Sequence, residues 1–487
     1  MESSPSAMLR FLLPKTPFIL KTAVAHTLYL SETSSKWDLR TELTIKILRH
    51  MLGPHSKTTS ISKQQRLTTK DPGVKGKVWI SKVKCSVPED GDAVRKLLFK
   101  AIEDLKEGGE AYDEPASTPL EAEWTGYRAA AHHQTPEPEG LSEKEKYVEL
   151  MRETSSKVTL LYFHGGAMYL LDPATYRNIT GRLAKETGGR VFSVRYRLAP
   201  QNPFPAALLD ALTAYLTLLY PPEGSPHQPV PAKEIVFGGD SAGGTLCTAL
   251  LQLLLQIQRT KPDPSSPATV RWHGRDVEIP LPAGLALTSP WLDVTRSLPS
   301  IEALAKYDYL PPPSHTHTMR YPPCDAWPEK PPRAELYCEG SALLHPLVSP
   351  VAAKDWSGAP PVFFSLGEEM LRDEDAVLAQ RLYEQGVKVR WREFEAMPHC
   401  FGMMLEGLAA SRVHFEETAR FCRDAVEGGV ESSSGQFIVA KSLVRREVEF
   451  GKLTDLTADD VRAAMIKGRE RIEKRHGGGM TETRPML

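Results

Sequence analysis

Glu234-Ile235-Val236-Phe237-Gly238 runs straight into Gly239-Asp240-Ser241-Ala242-Gly243-Gly244, and a helical run over 245–258 follows. A short apolar stretch of this kind reads as a buried strand, and G-x-S-x-G at its end is a sharp strand-to-helix turn that lifts a serine hydroxyl clear of a sheet. The glycines permit so tight a bend. Ser241 is therefore the nucleophile candidate, and a helix N-terminus behind it favours the negative charge that develops in acyl transfer. A glycine-rich turn without chemistry is the bland alternative. The flanking strand and helix favour the nucleophile.

Upstream, the apolar run ending Leu160-Leu161-Tyr162-Phe163 leads into His164-Gly165-Gly166-Ala167-Met168-Tyr169. Two residues without side chains let backbone N–H groups approach an oxygen, so Gly165, Gly166 and Ala242 are the candidate oxyanion donors. His164 reads as a residue that orients this loop. Downstream, His399 stands in Glu395-Ala396-Met397-Pro398-His399-Cys400-Phe401, just after the last strand-like run. A loop at the C-terminal edge of a sheet can swing its imidazole over Ser241, and the order nucleophile, acid, histidine fits this placement. His345 also follows Ser241 but lies in a proline-rich stretch and reads as structural. The acid belongs after the penultimate strand, where Glu368, Glu369, Asp373, Glu374 and Asp375 follow Val362-Phe363-Phe364-Ser365-Leu366-Gly367. Spacing alone does not choose among them, because some are helix-start charges.

Around these points, strand-like runs at 78–85, 122–127, 158–163, 191–196, 234–237, 284–287, 362–366 and 387–394 alternate with helical runs at 182–187, 206–219, 245–258 and 375–385. The expected fold is α/β, with an eight-stranded, mostly parallel sheet flanked by helices and a helical cap. Residues 1–70 are expected to form an N-terminal helical cap or interfacial segment. Residues 71–430 are expected to form the α/β domain, with a cap insertion at about 296–345. That insertion carries Pro311-Pro312-Pro313 and Pro331-Pro332, and loops after a central strand project over the end of the sheet where ligands sit. A second proline-marked stretch, with Pro262, Pro264, Pro267, Pro280 and Pro282, reads as an excursion or loop. Residues 431–487 form a C-terminal extension, expected to fray around Gly477-Gly478-Gly479.

The 487 residues are 41% hydrophobic and 25% charged, enough for a large core. Lysine and arginine number 60 against 61 acidic residues, so no basic field is present to hold nucleic acid. Six cysteines without a CxxC pair or dense pattern point to free thiols in a reducing, intracellular compartment. Pro14, Lys15, Pro17, Lys21 and His26 interrupt the apolar stretch over 11–30, so neither a cleaved signal nor a membrane span is expected there. Leu9, Phe11, Leu12, Leu13, Phe18, Ile19 and Leu20 beside lysines leave two readings: a helix lying on an internal membrane, or a cap helix packed on the protein's own core.

Four ordered blocks, His164-Gly165-Gly166-Ala167, Tyr196-Arg197-Leu198-Ala199-Pro200 with Pro203-Phe204-Pro205-Ala206-Ala207, Gly239 to Gly244, and Ser289-Pro290-Trp291-Leu292-Asp293, resemble the hormone-sensitive lipase family of α/β-hydrolases in its GDSAG branch. The resemblance covers roughly residues 158–405, and the N-terminal arrangement is similar to fungal members. It implies a serine esterase or lipase-like hydrolase without metal or cofactor. The substrate expected is a hydrophobic small-molecule ester. The family writes its acid block Asp-Pro-Leu-x-Asp-Glu with the first Asp catalytic. The matching run here is Glu369-Met370-Leu371-Arg372-Asp373-Glu374, so the resemblance gives the role to Glu369, with Asp373 second. Cys400 replaces the glycine that usually follows the histidine. Two rival readings share the fold. The plant gibberellin receptor resembles this family but lacks the histidine, whereas Ser241, His399 and an acid are all retained here. A dehydratase would use the same machinery for another reaction.

Overall fold

The computed structural model describes residues 13–53, 58–87, 91–261, 263, 265–316, 321–330 and 332–477. In chain order the strands are β1 (Val78–Cys85), β2 (Leu120–Tyr127), β3 (Thr159–Phe163), β4 (Arg190–Val194), β5 (Ile235–Asp240), β6 (Thr269–Trp272), β7 (Arg275–Glu278), β8 (Gly284–Thr288), β9 (Val362–Gly367), β10 (Val389–Phe394), β11 (Ser434–Ile438) and β12 (Arg445–Val448). Every position of β3, β5, β8 and β9 is buried, as in strands covered on both faces. Alternation along β3 sends Leu161 and Phe163 to one face, with Phe237, Leu208 and Leu250. It sends Leu160 and Tyr162 to the other, with Val236, Leu183 and Phe415. Helices Ala206–Leu219 and Ala242–Arg259 cover the first face, and Arg177–Thr187 and Ala409–Glu427 cover the second.

The main sheet has ten strands in the order β1-β2-β4-β3-β5-β8-β9-β10-β11-β12. Pairings from β4 to β11 are parallel, and β1, β2 and β12 pair antiparallel. The eight expected strands all form within an α/β sheet. The sheet is wider than expected because β11 and β12, from the C-terminal segment, continue it beyond β10. Neither has an apolar run to announce it: β12 is Arg445-Arg446-Glu447-Val448, exposed for most of its length. The stretch read as a proline-marked loop contains the hairpin β6–β7, turned by His273 and Gly274, both at positive φ. Pro262, Pro264 and Pro331 lie outside the described residues, as do Gly478 and Gly479 of the expected frayed tail.

Three helices, Thr16–Thr27, Leu39–Leu52 and Ile61–Thr68, precede the sheet. Asp38 caps the second by accepting the Thr41 N–H at 2.7 Å. This segment is pinned to loops at the sheet's edge. Trp37 Nε1 donates to Ala396 O at 2.6 Å, and Arg49 Nε donates to Asp308 O at 2.8 Å. Leu13, Leu20, Val24 and Leu28 stay exposed, whereas Leu9, Phe11 and Leu12 lie outside the described residues. No helix among the described residues is long and apolar enough to cross a membrane. Between β8, which ends at Thr288, and β9, which begins at Val362, the chain makes a long excursion that includes the short helices Ser300–Ala303 and Pro313–Thr316. The last helix, Ala458–Gly477, packs back on its start. Arg471 Nη2 donates to Thr295 O at 2.8 Å and to Arg296 O at 3.0 Å.

Candidate active site

β5 ends at Asp240 and the next helix begins at Ala242, so Ser241 makes the turn alone, at φ 51° and ψ −120°. A residue with a side chain is strained there and persists because its surroundings hold it. The Ser241 N–H donates to Thr288 O at 3.0 Å, and its carbonyl accepts the Trp291 N–H at 2.9 Å. Glycine is required at 243, where a Cβ would lie 1.9 Å from Phe163 O. That close approach brings the loop after β3 against the nucleophile turn.

Gly166, Ala167 and Met168 all take positive φ in this loop. The Gly165 N–H is shared between Asp240 Oδ1 and Tyr176 Oη, each at 3.2 Å. Of the expected oxyanion donors, the Gly165 N–H is thus turned toward a buried carboxyl group and a phenol. The N–H groups of Gly166 and Ala242 meet no acceptor among the described residues. Asp240 ties the two turns together, because Tyr162 Oη and Tyr176 Oη also donate to it at 2.8 Å, and burial raises its pKa. His164 stacks on Tyr196 with ring centroids 4.4 Å apart, and its Nδ1 lies 2.7 Å from Gly165 O. Burial lowers its pKa to about 4. A neutral, immobilised ring of this kind shapes the loop.

His399 leaves β10 on a short loop, and Glu369 lies two residues beyond the end of β9. His399 Nδ1 is 2.6 Å from Glu369 Oε2, and Glu369 is fully buried. The other acids of that stretch turn elsewhere. Glu368 accepts the Ala396 N–H at 3.0 Å, Asp373 the Ser300 N–H at 2.9 Å, and Glu374 the Leu292 N–H at 2.6 Å. Asp375 is buried, and burial above all raises its pKa well above the usual range. His345 lies against Ile102 O at 3.1 Å, away from this cluster.

Ser289 joins the acid to the base. Its hydroxyl donates to Glu369 Oε1 and accepts the Cys400 N–H at 3.1 Å. Ser241 Oγ makes no hydrogen bond to the His399 ring in this conformation, and the Cys400 thiol is the ring's other close partner. Burial opposes an imidazolium at His399, but Cys400 and Glu369 outweigh it and raise the pKa well above its ordinary value. Burial pushes the Cys400 thiol up to about 12, so it stays neutral and Glu369 is the anion that favours the imidazolium. Asp308, from the excursion, is buried beside them and accepts the Met370 N–H at 3.2 Å. Burial, then the charge of Glu369, pushes it up to about 6. Tyr309 sets its ring 6.2 Å from that of His399.

Sequence reasoning assigned no role to Asp240, Ser289 or Asp308. The first is the variable position of G-x-S-x-G and the second opens a quoted motif, so both carried a signal. Asp308 carried none, because the excursion positions it from outside every motif. Ala167, Trp291, Arg296, Ile301, Leu310, Pro311, Met370 and Leu371 surround Ser241 and leave a space of about 10 Å³. That is room for about one water molecule.

A family model described as the alpha/beta hydrolase fold matches residues 160–403. An acetyl-hydrolase of Streptomyces hygroscopicus is 31% identical over 274 residues, which is 56% of this chain and 78% of that protein. An esterase of Acinetobacter venetianus is 26% identical over 276 residues, 56% of this chain and 77% of its own. Among solved structures, a hormone-sensitive lipase from a metagenome library superposes with a TM-score of 0.51 at 25% identity, covering 80% of this chain and 99% of that one.

Proposed function

Because this chain belongs to the α/β-hydrolase family over residues 160–403, we propose that it is a serine carboxylic ester hydrolase in which Ser241, His399 and Glu369 form the catalytic triad and the substrate is a hydrophobic small-molecule ester. The observation that carries the triad is the 2.6 Å contact between His399 Nδ1 and Glu369 Oε2, at the sheet edge where Ser241 stands on its strained turn. Relatives named acetyl-hydrolase, esterase and lipase support the reaction class. The apolar walls around Ser241 support the substrate class.

In this reading, rotation of the Ser241 side chain brings Oγ to His399 Nε2, which takes the proton as Oγ attacks the ester carbonyl. Glu369 accepts from Nδ1–H, fixes the tautomer and stabilises the imidazolium. The N–H groups of Gly166 and Ala242 receive the oxyanion, and loss of one such donor costs about 3 kcal/mol. Collapse of the tetrahedral intermediate expels the alcohol, protonated by His399, and water then cleaves the acyl-enzyme by the same route. The test is hydrolysis of a short p-nitrophenyl ester. Turnover that disappears in Ser241→Ala supports the reading, and turnover that survives in that variant rules Ser241 out as the nucleophile. Ligand binding without turnover would favour the receptor.

The exposed Leu13, Leu20, Val24 and Leu28, with Lys15 and Lys21 beside them, support peripheral contact of the first helix with an internal membrane. In this reading the membrane is an apolar source of esters beside the N-terminal helices.

A further inference from the structure

A groove of about 710 Å³ lies between the entry to β1, the end of β2, helix Arg177–Thr187 and the start of helix Ala409–Glu427, and it shares no residue with the space beside Ser241. Five cations line it: Lys75, Lys77, Arg182, Lys185 and Arg412. None of the five makes an ion pair or a side-chain hydrogen bond among the described residues. Cations on the neighbouring strands and helix are treated differently. Lys82 and Arg177 hold Asp71, Arg177 also holds Glu123, and Lys84 and Arg195 hold Glu121. The acids of this side are thereby committed elsewhere, and the carboxylates among the lining residues are Glu186 and Glu406. Arg423, which donates to the carbonyl of Glu186, adds a further cation beside them.

Aromatic rings fix where three of these charges sit. The Lys77 and Lys185 ammonium groups lie 5.9 Å and 5.6 Å from the centroid of the same ring, that of Tyr127. Cation–π attraction steadies each of them, but two like charges gathered on one ring repel, and no carboxylate pairs with either. The Arg182 guanidinium lies over the buried Phe415 ring, 3.9 Å from its centroid. That contact uses the flat face of the group and leaves its N–H edges for a ligand. His133, Gln134 and Asn178 add neutral polar groups to the wall. Excess cations in so small a space favour phosphate over carboxylate, because each phosphate concentrates up to about two negative charges and three acceptor oxygens. Their spread over separate segments of chain calls for more than one such group. The volume is that of a small-molecule site, and a bilayer, flat on this scale, does not enter a groove. We propose that this groove binds a small molecule carrying two or more linked phosphate groups. The site is separate from the one that hydrolyses esters and stands or falls independently of it.

The experiment is calorimetric titration of the full chain, free of divalent cations, with inorganic phosphate, pyrophosphate and tripolyphosphate in turn. Saturable binding at one site is expected, with tripolyphosphate at least about tenfold tighter than phosphate and all three weakened by added salt. Lys77→Gln combined with Lys185→Gln weakens tripolyphosphate about tenfold or more, and Arg412→Gln weakens it in the same direction. Lys185 and Arg412 are exposed, so the fold tolerates their replacement, and matching thermal midpoints check this. Lys84→Gln removes a cation that is paired outside the groove and leaves the affinity unchanged. Absence of saturable binding by any of the three up to about 1 mM overturns the inference. So does phosphate that binds as tightly as tripolyphosphate. A loss in Lys84→Gln equal to that in the double variant assigns the binding to overall charge and also overturns it. Affinity for vesicles containing phosphatidylinositol bisphosphate, with none for the free phosphates, hands the surface to a membrane and overturns it as well.

Discussion

A histidine that collects a proton from serine must be neutral at the outset, so whatever favours its charged form sets the pH at which catalysis begins. At His399 the anion with that power is Glu369, 2.6 Å away, acting against burial. The sign follows directly. Raising the histidine pKa moves the acid limb of kcat/KM upward, and activity falls as pH drops through the raised value. Glu369→Gln keeps the shape and removes that carboxylate's charge, so burial opposes the imidazolium with less against it. Its acid limb is expected at lower pH than that of the unaltered protein. Its kcat is expected to fall by roughly ten-thousand-fold, because the wrong tautomer is then held. A pH–rate profile checks both, and an unmoved limb would mean that another anion governs the base. The residues around this pair show what motifs reveal and what they hide. Glu369 could be chosen through family resemblance, since its stretch holds five acids at plausible spacing. Ser289 and Asp308 act through the contacts they make across loops, and a linear pattern of residue types does not contain those contacts.

At the scale of elements, the buried strands were legible because burial on both faces leaves continuous apolar runs. β11 and β12 were not, because an edge needs less apolar surface and can be written in arginine and glutamate. The β6–β7 hairpin was masked by the prolines around it, although His273-Gly274 supplied a two-residue turn. The role of the final helix, Ala458–Gly477, as a brace for the excursion was not legible. Arg471 gives it that role, through two hydrogen bonds to the carbonyls of Thr295 and Arg296. Arg471→Ala is expected to lower stability by about 1–2 kcal/mol, read from denaturant midpoints, because two buried carbonyls lose a charged donor. It should also raise KM, since the cavity wall at Arg296 loses its support. A stability loss with KM unchanged would limit the helix to packing.

At the scale of the whole molecule, the N-terminal segment does two things with opposite faces. One side reaches the base loop through Trp37 and the excursion through Arg49, and the other leaves Leu20 and Val24 in solvent. Leu20→Glu combined with Val24→Glu removes apolar surface that is mostly exposed, so folding and hydrolysis of a soluble ester should be little changed. Cosedimentation with phosphatidylserine-containing vesicles is expected to weaken at least about tenfold. Equal sedimentation of both proteins would return these leucines and valines to ordinary surface. The space beside Ser241, with room for about one water molecule, carries a further consequence. A fluorophosphonate or any other serine-directed reagent meets its target no more often than the roof lifts. Sluggish labelling of this protein would then be a clock for breathing of the fold, and would say little about how potent the hydroxyl is once uncovered.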